Sequence, residues 1–263
     1  QEGQIQEIQL GVGAGEVSIN LQLWKNYVDE FQIELISPSG QILGPFQEIL
    51  GAQRYLTTDT ELLVYYGEPK PYSESQEIYV DFLPRADYID AGIWRIRLTP
   101  VHIISGAFDM WLPASGVLNL NTRFYEPTAE TTLTIPSTAR KVISVGAYDS
   151  RRMTYAPFSG RGYTRDGGMI KPDLAAPGVD ITTTAVGGGY TVVSGTSFAA
   201  PFVTGAAAML MQWGLTDGND PYLYGMKVRA YLTRGARHLN VQREYPNPTL
   251  GWGVLCVEQS LPG

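Results

Sequence analysis

Ser197 stands in Ser194-Gly195-Thr196-Ser197-Phe198-Ala199-Ala200-Pro201, a serine on a glycine-flanked turn directly before a long apolar run. That order lifts a hydroxyl to the first turn of a helix. Backbone N–H groups there lack intrahelical partners, and the macrodipole is positive. Acyl transfer needs such a place: a nucleophile, and donors aimed at the oxyanion it creates. A serine also needs a base, and the chain has two histidines, His102 and His238. His102 lies in Pro100-Val101-His102-Ile103-Ile104 and reads as a satisfied strand histidine. His238 follows Arg237, well after the serine.

The elements that would position Ser197 differ between the two halves of the chain. Residues 1–125 read as an antiparallel β-sandwich, jelly-roll-like in character. Val17 to Leu23 alternates apolar and polar without a slip. Phe31 to Leu35 does the same and ends in the turn Ser37-Pro38-Ser39-Gly40. Ile78, Val80 and Phe82 alternate, as do Trp94, Ile96 and Leu98. Period-2 runs between Pro/Gly/Ser turns are the signature of half-buried strands, and several of them without a helical period indicate two packed sheets.

Residues 126–263 read as α/β. Val142 to Ala147 is an apolar run of strand length, of the type found in parallel sheets covered on both faces. Phe198 to Trp213 carries no charge and is followed by Gly214, a candidate C′ residue. It reads as a buried core helix rather than a membrane span, because Pro201, Thr204, Gly205 and Gln212 interrupt it and its length is marginal. Tyr224 to Leu232 reads as a second, amphipathic helix.

Composition bounds the partners. At 263 residues and 44% hydrophobic content, the chain can bury a sizeable core. The net charge is −7 and no basic cluster stands out, which argues against nucleic acid. Cys256 is the one cysteine, so neither an internal disulfide nor a Cys/His zinc pattern exists. It lies in an apolar run and reads as a buried structural thiol. The N-terminus shows no signal-peptide pattern, and Gln1 is no natural start, which leaves room for targeting information upstream.

Five phrases, in order, resemble the subtilisin-like serine proteases. Lys141 to Ser150 looks like the family's "VIxVGAxD" strand, and Phe158-Ser159-Gly160-Arg161-Gly162 like its "FSxxG" loop. Lys171 to Gly178 resembles "KPDxxAPG", Gly195 to Pro201 the nucleophile motif, and Gly251-Trp252-Gly253-Val254 the closing "GxGxxN", from whose polar end Leu255 and Cys256 depart. The resemblance implies part of a doubly wound parallel sheet, with Ser197 as nucleophile and its own N–H as one oxyanion donor. It also implies that Thr134, in Thr134-Ile135-Pro136, floors the specificity pocket, and that Asp173 braces a loop. The family's base precedes its serine, so His238 does not fit that role.

The family's Asp, His and oxyanion Asn phrases are absent, which implies that these groups lie outside this chain. A serine without its base is a poor nucleophile, so the chain alone is expected to be inactive. The expected partners are a protein or peptide substrate and the missing N-terminal half of the peptidase domain. Half of such a sheet should expose core-like surface. The order of sandwich then nucleophile resembles the Csp germination proteases of spore-forming bacteria, which implies a secreted or spore-associated protein. No cofactor is identifiable. Loop-bound Ca²⁺ is implied by resemblance alone, with Asp166 and the stretch Asp217–Asp220 read as solvated loop carboxylates.

Two other readings stay open. One is a pseudoprotease kept for regulation or binding. The other is a binding module in the sandwich, with Trp24, Tyr65, Tyr66 and Tyr72 as an aromatic platform rather than ordinary core or rim.

Overall fold

The computed structural model describes residues 4–71, 73–114, 116–165 and 169–261. Asp166 and Tyr72 lie outside the described residues. The chain divides into two compact units, Gln1–Pro127 and Thr128–Gly263.

The first unit contains β1 (Gln6–Val12), β2 (Ile19–Asn26), β3 (Glu30–Ile36), β4 (Ile42–Leu43) and β5 (Gln53–Leu56). It continues with β6 (Thr60–Tyr66), β7 (Ser75–Pro84), β8 (Gly92–His102), β9 (Phe108–Trp111) and β10 (Arg123–Phe124). Two five-stranded sheets result, in the orders β10-β1-β8-β3-β4 and β5-β6-β7-β2-β9. The alternating residues face a shared core: Ile19, Leu21 and Leu23 from β2, Ile78, Val80 and Phe82 from β7, Trp94, Ile96 and Leu98 from β8. Period-2 patterning therefore fixes the register, since a one-residue slip would turn every one of these side chains outward. Val17 lies before the strand it was expected to open and is exposed.

Trp94 meets Phe82 edge-on with centroids 5.1 Å apart, and its indole N–H donates to the Asp90 carbonyl at 2.9 Å. The turn after β3 closes through the Gly40 N–H to the Ser37 carbonyl at 2.9 Å. Gly40 sits at φ 87°, a conformation that suits glycine. Of the aromatics expected to form a platform, one is withdrawn into the core. Tyr66 is buried in the core, while Trp24 and Tyr65 are half-buried.

The second unit contains β11 (Val145–Asp149), β12 (Thr154–Tyr155), β13 (Leu174–Pro177), β14 (Ile181–Thr184) and β15 (Tyr190–Val193). Its helices are α1 (Thr196–Met211), α2 (Gly225–Arg234) and α3 (Val257–Ser260). β11 pairs parallel with β13 and antiparallel with β12, and β14 and β15 form a separate hairpin. The described residues thus hold one parallel pair in a mixed, mostly antiparallel set rather than a complete doubly wound sheet. The strand expected from Val142 begins at Val145 instead. Buried polar contacts replace the ladder before it: the Ser144 N–H donates to Asp173 Oδ2 at 2.7 Å, and Lys171 Nζ donates to the Val142 carbonyl at 2.5 Å.

α1 departs from expectation twice. Gly214 does not end it, because the chain continues through a π-helical turn, Gln212–Thr216. Gly214 instead allows close packing, since a Cβ there would stand 2.7 Å from Leu223 Cδ2. Nor is the helix buried all round. Ala199, Val203, Ala206 and Leu210 face the core, while Phe202, Met209 and Met211 are 43, 54 and 48% exposed. The segment Thr196–Thr216 is long and apolar enough to cross a membrane by length and composition. Cys256 is half-buried rather than buried, at the start of α3.

Candidate active site

Ser197 is the second residue of α1 and is exposed. Gly195 caps the helix at φ 156° and ψ 158°, a region essentially restricted to glycine. No side chain caps this terminus, and its first turn has no acidic residue. The first-turn N–H groups and the positive end of the helix, equivalent to roughly half a charge, therefore lie beside the Ser197 hydroxyl uncompensated by any side chain. An oxyanion formed on a carbonyl attacked by Ser197 would meet these donors.

A clasp between two loops holds this turn. The Gly195 N–H donates to the Gly178 carbonyl at 2.8 Å, and the Gly178 N–H donates to the Tyr148 carbonyl at 3.1 Å. The Asp180 N–H reaches Ser194 Oγ at 2.9 Å. A Cβ on Gly178 would come within 2.6 Å of Ala147 Cβ and 3.0 Å of the Gly195 carbonyl. The glycine thus lets β11, the loop after β13 and the turn before α1 approach one another. On β11 the Ala147 N–H is taken by Ser159 Oγ at 2.9 Å, so the serine of Phe158-Ser159-Gly160 closes the strand's other edge.

Beneath lies a buried ionic brace. Lys171 and Asp173 are both 0% exposed, with Lys171 Nζ donating to Asp173 Oδ2 at 2.8 Å. Arg229 of α2 approaches Asp173 Oδ1 to 2.5 Å, at an angle that makes an ion pair without a hydrogen bond. Asp173 thus braces a loop, as expected. Lys171 and Arg229 were not singled out from the sequence, although a lysine and an aspartate flanking a proline just before an apolar run are the signal such a brace leaves.

None of the remaining candidates enters the contacts just described. Thr134 is exposed on an irregular loop. His238 is exposed and stacked on Tyr245, centroids 4.0 Å apart and planes 2° from parallel. His102 ends β8, exposed, in the first unit. Asp220 is not a solvated loop carboxylate. It is buried and accepts from Lys227 at 2.6 Å and the Tyr231 hydroxyl at 2.9 Å. The Lys227 hydrogen bond leads in holding its carboxyl below the usual range. Among the described residues, no group of three or more His, Cys, Asp or Glu gathers as a metal site.

Known proteins share these features. The sequence model described as the Subtilase family matches residues 118–253. The serine protease AprX of Bacillus subtilis is 34% identical over 152 residues, covering 50% of this chain and 32% of that protein. Subtilisin DY of Bacillus licheniformis is 32% identical over 130 residues, covering 49% of this chain and 40% of that protein. The solved structure of the Clostridium perfringens CspB protease superimposes with a TM-score of 0.89 at 39% identity. That match takes in 97% of this chain, hence residues of both units, and 53% of the CspB chain. The chain therefore spans about half the length of CspB and about a third of AprX.

Proposed function

The chain belongs to the subtilase family, and we propose that it is the nucleophile-bearing part of a serine endopeptidase whose base, orienting acid and oxyanion asparagine lie outside it. The observation that carries this reading is the exposed Ser197 on the uncapped N-terminus of α1. Ser197 Oγ attacks the scissile carbonyl of a protein or peptide substrate after a histidine from the missing half takes its proton. The resulting oxyanion accepts the Ser197 N–H and one further donor from that half. Thr134 contributes to the floor of the specificity pocket.

The outer half of α1 supports the incomplete fold. Phe202, Gly205 and Met209 follow one another along its exposed side, and no charged residue occurs anywhere in the helix. A helix apolar all round is normally buried on all sides. We read β11 and β13 as two strands of a larger parallel sheet, the rest of which, with its own helices, covers this face.

The test is labelling of the complete protein with a fluorophosphonate. Ser197 should be modified in the presence of the missing half, and turnover should fall by on the order of 10⁶ in Ser197→Ala, a magnitude set by subtilisin. Peptide hydrolysis retained by Ser197→Ala sinks the assignment. An unlabelled Ser197 in the complete, folded protein would make it a pseudoprotease.

A further inference from the structure

The first unit holds a cavity of about 200 Å³ lined only by its own residues. Its walls are Tyr27 after β2, Glu48 to Leu50 between β4 and β5, and Tyr66 to Pro69 at the end of β6, with Gln76 of β7. Gln76 is 1% exposed. Its Nε2 donates to Glu48 Oε1 at 2.5 Å and to the Gly67 carbonyl at 3.1 Å. Both partners are acceptors, so a flipped amide would set oxygen against oxygen, and the orientation is fixed. Oε1 is left buried without a hydrogen-bond partner. An unsatisfied buried acceptor costs about 1–3 kcal/mol. Gln76 lines the cavity, and a donor that reached Oε1 from it would offset that cost.

The charge of the walls says which donor. Glu48 and Glu68 supply two carboxylates, and the lining holds no lysine, arginine or histidine. Lys25 stands opposite Gln76 in the β2·β7 register; its ammonium donates to the Asp29 carbonyl at 2.6 Å, and Glu48 is the first of the carboxylates whose charge acts on it. Tyr27 and Tyr66 add aromatic surface, on which cations settle. An anion would meet the Glu48 and Glu68 carboxylates, with only tyrosine hydroxyls and backbone N–H groups to donate to it. At about 200 Å³ the space is below the ~300–1,000 Å³ of drug-sized sites, which suits a single side chain.

We infer that this cavity binds an organic cation, the guanidinium of an arginine or the ammonium of a lysine, through Gln76 Oε1 and the Glu48 carboxylate. Recognition of a basic residue would then be built into the sandwich, independently of Ser197.

The test is an NMR titration of the whole chain, ¹⁵N-labelled, with N-acetylarginine amide and N-acetyllysine amide, read at the Gln76 side-chain amide. A saturable shift of that amide with at least one of the two probes is expected. Glu48→Gln, at an exposed position that keeps an acceptor oxygen for Gln76, should weaken binding by about tenfold, one charge-assisted hydrogen bond. Three outcomes overturn the inference: no saturable shift, an equal response to neutral N-acetylglucosamine, or affinity unchanged in Glu48→Gln that retains the wild-type circular dichroism.

Discussion

The two units close their cores with different materials. In the first, large side chains from two sheets meet: Leu10, Leu21, Ile33, Leu62, Phe82 and Trp94 are almost wholly buried. In the second, alanines line the contact between α1 and the β11·β13 pair, with Ala147, Ala176, Ala199 and Ala206 at its centre. Large residues fill the gap between sheets about 10 Å apart. Small ones let a helix and a sheet come close, at the cost of burying little apolar area per residue. The first unit therefore has the means to hold itself together. The second is tightly fitted but thin, and one side of its main helix is bare.

The sharpest way to break this comparison is at Gly251, which sits at φ 58° where a Cβ would stand 2.1 Å from the Pro172 carbonyl and 2.5 Å from that of Asp173. Gly251→Val should destabilise the second unit by about 4 kcal/mol or more, among the largest single-residue effects. Urea unfolding followed by hydrogen exchange should show that loss in residues 128–261 while the strands of the sandwich keep their protection. Simultaneous loss in both units would mean they fold as one.

Next in size is Trp94→Ala, at about 3–5 kcal/mol from the cavity left under Phe82. Its effect should be confined to the sandwich, by the same measurement. Asp173→Asn should cost the second unit a similar ~3–5 kcal/mol, because it strands the buried Lys171 ammonium. Double substitution by leucine and methionine at positions 171 and 173 should recover part of it.

A smaller effect is expected with pH. The carboxyl of Asp220 titrates below its ordinary ~3.9 in the folded chain. Its contribution to stability is therefore fully present above about pH 4 and is lost as pH falls through the lower folded value. Asp220→Asn should flatten the acid limb of the second unit's stability curve. The smallest effect is expected from Met209→Glu, on the bare side of α1, within about 0.5 kcal/mol in this chain alone. In the complete protein the same change should block assembly of the peptidase domain, measured by loss of fluorophosphonate labelling.

The sandwich was legible because each strand repeats one rule, and Ile78, Val80, Phe82 and their counterparts obey it alone. In the second unit the motifs marked Ser197 and the loops around it, but local pattern misjudged the boundaries. Val142 to Ser144 look like strand and are instead tied down by Lys171 and Asp173, partners that only the fold brings within reach. Gly214 looks like a stop and is a packing glycine against Leu223. An uncharged helix reads as surrounded, yet sequence does not say by which chain. The cavity around Gln76 was invisible for a related reason: Tyr27, Glu48, Tyr66 and Gln76 share no motif and meet across separate strands and loops.

The stitching of β13 has a consequence for synthesis. The Ala175 N–H is donated to the Gly253 carbonyl, and Ala175 in turn accepts the Leu255 N–H. Gly251 bridges Leu174 as well. Ribosomes add roughly 5–20 residues per second, and Ser197 emerges well before these last residues do. Throughout that interval β13, packed against α1, lacks one of its borders. Ser197 is translated early and seated late, so a nascent chain carries this exposed hydroxyl before the frame under its helix is complete.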